Sequence, residues 1–156
     1  MDDALRALYQ GDVERGEALL PADDQVDVFT AAAFGRIERL QELLHDNPAL
    51  ARAFSDDGFT ALHLAVFGRR VDAARLPIDH GADVNARSTG SIARVPPLGT
   101  AAFVGSVELA RLLLDRGADV NGDGEGGFTA LDSASLNGND ELVRLLESRG
   151  GERRVS

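Results

Sequence analysis

Apolar residues in this chain come in short runs at helical spacing, separated every ten residues or so by glycine, proline or charged breaks. The runs Ala110-Arg111-Leu112-Leu113-Leu114 and Leu142-Val143-Arg144-Leu145-Leu146 each give one wide apolar stripe, as an amphipathic helix does. Shorter runs such as Ala61–Phe67 and Leu98–Val104 precede them by a few residues and carry small side chains, Ala65 and Ala101, at one matching place. Small residues there allow close stacking of neighbouring elements. Thr60 and Thr129 stand where a hydroxyl caps a helix start, and Pro96-Pro97 fills that place once, where a missing N–H costs little. Gly81, Gly117 and Gly150 follow the long stripes, as left-handed helix stops. The pattern predicts about ten helices in antiparallel pairs and no extended sheet, with 60–66 and 72–80 both helical.

The pairs recur. Gly35 and Gly68, Gly105 and Gly138, and Gly117 and Gly150 are each 33 residues apart. Thr60 to Asn85 reads TALHLAVFGRRVDAARLPIDHGADVN, Pro96 to Asn121 reads PPLGTAAFVGSVELARLLLDRGADVN, and Thr129 to Gly151 reads TALDSASLNGNDELVRLLESRGG. These segments resemble the ankyrin repeat, a 33-residue unit with a Thr-Pro-Leu-His-x-Ala start. The resemblance implies an all-α ankyrin-repeat solenoid of about five helix pairs with short hairpin-like loops. It divides a single domain over 1–156 into a degenerate N-terminal cap pair at 2–26, repeats at 27–56, 57–88, 89–122 and 123–151, and a tail at 152–156. Atypical end units are expected of such a stack.

Three irregularities stand out. The segment after Asn85 makes the loop at 86–95 three residues longer than the period requires. Gly68 arrives one position earlier than Gly105 and Gly138 do. Pro77 interrupts the second helix of its pair where the next unit has Leu113, and is expected to bend or fray it.

Composition narrows the function. The chain has no cysteine, so disulfide and thiolate chemistry are excluded. Its formal charge is -10, with residues 1–27 holding eight acids against two arginines and 119–147 seven acids against one. Acidic ends around a balanced middle do not suit a phosphate-tracking surface, so no nucleic-acid partner is expected. All 16 basic residues are arginine, a bias associated with GC-rich, bacterial coding. No apolar run approaches the roughly 18 residues of a membrane span, and the first residues lack the basic and apolar regions of a signal peptide. The expected setting is the cytoplasm, away from membranes, with the chain monomeric alone.

Chemistry is sparse. His45, His63 and His80 form no cluster in the register, and His63 holds the signature histidine, expected to tie neighbouring turns. Asp119-Val-Asn-Gly-Asp-Gly124-Glu125 matches the start of a calcium loop, but Ala130 stands where the twelfth-place Glu is needed. No catalytic residue, cofactor or metal is assigned.

The resemblance implies a protein-protein interaction module or adaptor that holds a partner protein on its concave face. An inhibitory or structural subunit of a small complex is the alternative, with an enzyme or calcium-binding protein as a reading of another class. Mapped onto this chain, the partner-binding positions are Phe34, Asp56, Phe59, Phe67, Ile92, Arg94, Phe103, Val104, Phe128 and Leu136. Five of the seven phenylalanines are expected to form one contiguous apolar band there. Self-packing, Phe59 on Phe67 and Phe128 on Leu136, is the competing arrangement.

Overall fold

The computed structural model describes residues 2–90 and 94–154. It contains ten α-helices among them: α1 (Asp3–Tyr9), α2 (Val13–Ala18), α3 (Val28–Ala33), α4 (Ile37–Asp46), α5 (Ala61–Phe67), α6 (Val71–Asp79), α7 (Pro97–Val104), α8 (Val107–Asp115), α9 (Ala130–Leu136) and α10 (Asp140–Ser148). The described residues hold a lone antiparallel bridge, Phe54 to Thr60, in place of a sheet. The chain divides into two compact units, Met1–Ala82 with α1 to α6 and Asp83–Ser156 with α7 to α10.

One turn is built five times. The amide five residues past an alanine donates back to that alanine's carbonyl, Asp12 to Ala7, Arg36 to Ala31, Arg70 to Ala65, Ser106 to Ala101 and Asn139 to Ala134, at 2.8–3.0 Å. All five alanines are buried. The fourth residue past each has positive φ: Gly11, Gly35, Arg69, Gly105 and Gly138. This turn ends the first helix and starts the second, so alanine and left-handed turn together set the register of every pair. It also explains why Gly68 comes early. Gly68 has an ordinary φ of -77°, but a Cβ on it would lie 2.0 Å from the carbonyl oxygen of Ala33. The glycine is needed for the close approach of α3 to α5, and Arg69 takes the left-handed place at φ 59°.

In the first unit, α1 packs on α2 and α3, and α3 on α5. Its core includes Ala4, Leu5, Leu8, Ala33, Phe34 and Leu64. Glu17 of α2 reaches the guanidinium groups of Arg36 at 2.7 Å and Arg70 at 3.4 Å, linking the first pair to the two that follow. In the second unit, α7 packs on α8 and α9, and α10 on α9 and α8. Leu98, Leu109, Leu113, Leu131, Leu142 and Leu146 are fully buried there.

Asparagines staple the loops. Nδ2 of Asn85 donates to the Gly117 carbonyl at 3.2 Å, and its Oδ1 accepts from the Asp119 amide at 2.7 Å. Asn121 repeats this with Gly150 at 3.0 Å and Glu152 at 2.8 Å. In the first unit Arg52 donates to the Gly81 carbonyl at 3.1 Å, at the offset Asn121 has to Gly150.

Pro77 does not fray its helix. α6 runs through it to Asp79, nine residues, the length of α8 and α10. Proline occupies the last turn, where only the bond to Ala73 is lost, and the Pro77 carbonyl accepts from Ala82 at 2.9 Å as Leu113 does from Ala118.

Candidate functional site: the first-helix face

The short first helices, α1, α3, α5, α7 and α9, put one residue of each turn, two past the buried alanine, at the same place: Tyr9, Ala33, Phe67, Phe103 and Leu136. Helix starts fix that register. Thr60 caps α5 and Thr129 caps α9, each by accepting from the amide three residues on at 3.2 Å. The partner residue returns the bond: His63 Nδ1 accepts from the Thr60 amide at 3.3 Å, and Asp132 Oδ2 from the Thr129 amide at 2.8 Å. Both are buried capping-box residues. The printed bonds of His63 close the start of its own helix, and Asp132 performs the same task with a carboxylate.

In the first unit this face is covered by the chain itself. Tyr9 sets its ring edge-on to Phe67 with centroids 5.5 Å apart and lies 6.2 Å from Phe59. It reaches Phe67 across α3 because the intervening residue is Ala33, which is fully buried. The Tyr9 hydroxyl donates to Asp57 at 3.3 Å in the loop before α5. Burial, then the Asp57 charge and its hydrogen bond, hold the phenol well above the usual tyrosine range. Tyr9 was absent from the expected site. The signal was present in Ala7, Gly11 and Asp12, which carry the register of the later turns.

The second unit leaves the same place open. Phe103 is 69% exposed and Leu136 is 74% exposed, on the adjoining helices α7 and α9. Residues 96–106 carry no charged side chain, and 128–139 carry only the buried Asp132. Phe128 is 37% exposed at the end of the loop before α9, and Val104 is half-buried beside Phe103.

The remaining expected positions divide. Phe34 is corrected: it is 2% exposed and belongs to the core. Its ring fills the space left by Gly16, where a Cβ would lie 2.7 Å from Phe34 Cζ. One band of five exposed phenylalanines is therefore not formed, since Phe59 and Phe67 are half-buried under Tyr9. Asp56 is exposed in the loop before α5, and Arg94 is exposed with its carbonyl accepting from the Glu125 amide at 2.8 Å. Ile92 lies outside the described residues.

The calcium-loop donors are engaged inside the protein. Asp119 Oδ1 accepts from the Asn121 amide at 3.0 Å, Asn121 staples Gly150 and Glu152, and Asp123 pairs with Arg87. No group of three or more His, Asp or Glu that could hold a metal is found among the described residues.

A family model of ankyrin repeats (3 copies) matches residues 91–153, and one of ankyrin repeats (many copies) matches residues 28–76. The chain belongs to the ankyrin-repeat family. Its all-α fold of paired helices is the ankyrin architecture, and α1–α2, before either match, carry the same turn geometry. Among curated proteins the chain is similar to the "Probable E3 ubiquitin-protein ligase XBOS31" of Oryza sativa subsp. japonica, 42% identical over 66 residues. It is also similar to the "Palmitoyltransferase akr1" of Emericella nidulans, 32% identical over 93 residues. These alignments take in 42% and 59% of this chain but only 15% and 12% of the relatives' length. The likeness is to short stretches of those proteins, and the activities in their names stay with them. No helix among the described residues is long and apolar enough to cross a membrane.

Proposed function

We propose that this chain is a protein-binding module whose working surface is the open first-helix face of the second unit, centred on Phe103 and Leu136. One observation supports it above the others. Two large apolar side chains at the same register of adjoining helices stand more than two-thirds exposed, where the first unit covers its equivalent with Tyr9. Exposed aromatic and aliphatic residues grouped in this way act as interface anchors. Phe128, Val104 and Arg94 then belong to the surrounding contact surface, and Asp56 is peripheral. The acidic balance of the chain argues for a protein partner and against nucleic acid. Alone, in the cytoplasm, the chain is a monomer.

The test is capture of a partner from the source cell by wild type, Phe103→Ala, Leu136→Ala and, as a control on the second helix, Arg111→Ala. The two apolar truncations should each weaken capture about tenfold, the scale of one interface anchor, with helical content and melting midpoint unchanged. Arg111→Ala should do neither. Capture that survives both truncations removes this face from the function. Sedimentation of the isolated chain checks the monomer.

A further inference from the structure

We infer that α2 is a releasable strap: it lifts while α1 and α3 to α6 stay folded, and the carboxylate of Glu17 is its latch. This device belongs to the first unit and is independent of the binding face proposed for the second.

Among the second helices α2 is the one that buries no side chain. The others each bury at least two apolar ones, such as Leu40 and Leu44 in α4 or Leu142 and Leu146 in α10. In α2 the buried residue is Gly16 alone. From Gly11 to Gln25 every other residue is exposed or half-exposed, Val13 and Leu19 included. A six-residue helix with glycine near its centre does not hold itself together in water. It is helical because it is seated, and a segment with so little burial opens at low cost.

The seat is small. Gly16 lies against the edge of the Phe34 ring, so close that a Cβ would stand 2.7 Å from Cζ. Glu17 then reaches two guanidinium groups, Arg36 at 2.7 Å and Arg70 at 3.4 Å, and Leu20 just past the helix is half-buried against the core. Both ends are tethered. The Asp12 amide donates to the Ala7 carbonyl at 3.0 Å, and Arg39 holds the Asp24 and Val26 carbonyls at 2.9 Å. Glu17 is the ion-pair latch between those anchors.

Release has a compensation. The Nε atoms of Arg36 and Arg70 are buried without a hydrogen-bond partner while the strap is down. An unpaired buried donor is costly, and lifting the strap admits water to both. The lifted state presents the edge of the Phe34 ring beside two guanidinium groups freed of their carboxylate.

Native-state amide exchange and limited tryptic digestion of the full chain test the strap. In wild type the Gly16 and Leu19 amides, bonded within the α2 turns, should exchange at least about tenfold faster than those of α4 and α5. Trypsin should cut after Arg15, before the buried Gly16, earlier than after Arg39 or Arg75 inside α4 and α6, since cleavage follows the population of the open form. Added salt should speed both events at α2. Glu17→Gln should speed them about threefold to fivefold at low salt, the scale of a partly exposed ion pair, and should abolish the salt effect there. Exchange of α2 in step with α4 and α5, or a cut after Arg15 that comes only with those after Arg39 and Arg75, overturns the strap. A salt effect that persists in Glu17→Gln overturns the latch. Acceleration by Glu17→Gln that is equal from α1 to α6 makes Glu17 a general prop of the unit and overturns the inference.

Discussion

At the other turns one glycine supplies the left-handed place, whereas here Arg69 supplies it and Gly68 has a task of its own. Only Gly68 admits the Ala33 carbonyl, so Gly68→Ala should cost about 3 kcal/mol or leave the first unit unfolded, since the clash is with backbone that cannot yield. Arg69→Gly should raise stability. Relief of a left-handed non-glycine residue is worth about 1–2 kcal/mol, against roughly 0.4–1 kcal/mol for the added freedom of the unfolded chain. Equilibrium denaturation reads both changes. Tyr9 offers a second measurement at this scale. It is the sole tyrosine and there is no tryptophan, so tyrosinate absorbance reports it alone. Its acidity is weakened in the folded state, so the stability it contributes is full below the unfolded value of about pH 10 and is lost as pH rises beyond it. The alkaline titration should therefore coincide with unfolding, and Tyr9→Phe should remove that part of the alkaline sensitivity.

At the scale of elements, helix pairs are held by short turns and loops by asparagine staples. Asn121→Ala removes a donor to Gly150 and an acceptor for Glu152. Two partly exposed hydrogen bonds, each worth about 0.5–1.5 kcal/mol, set the expected loss at about 1–2 kcal/mol, and amide exchange at Glu152 should rise with it. Pro77→Leu addresses α6. Leucine stands at the corresponding places 113 and 146, both fully buried, and restores the bond to Ala73. A gain of about 1 kcal/mol in chemical denaturation is expected, part of the cost of a helix-interior proline. A loss would show the cavity to be shaped around the smaller ring.

At the scale of the molecule, each unit treats its first-helix face differently, and the cause is one small residue. Ala33 lets Tyr9 pass over α3 to Phe67, so the face of the first unit is closed from within. Ala33→Leu should wedge the ring away, loosening α1–α2 while leaving capture through Phe103 and Leu136 intact. Hydrogen exchange in α1 and partner capture separate the two effects. The distinction matters for the proposed function, because it covers the place of Phe67 in the first unit and leaves the places of Phe103 and Leu136 open in the second.

The sequence by itself determined the helix pairs, their caps and their stops, because those depend on residues a few positions apart: threonine before the turn of helix, alanine inside it, glycine after it. It also located Phe103, Leu136 and Phe128 on the face that stays exposed. What only the tertiary structure decided was burial across the stack. Phe34 and Phe103 each close a first helix, three and two residues past its turn alanine. One meets the gap left by Gly16, eighteen positions earlier in the chain, and the other meets solvent. Tyr9 covers Phe67 for a reason of the same kind, the size of a residue on the helix between them. Local rules fix which face a side chain takes, whereas its exposure depends on the volume of neighbours brought close by packing.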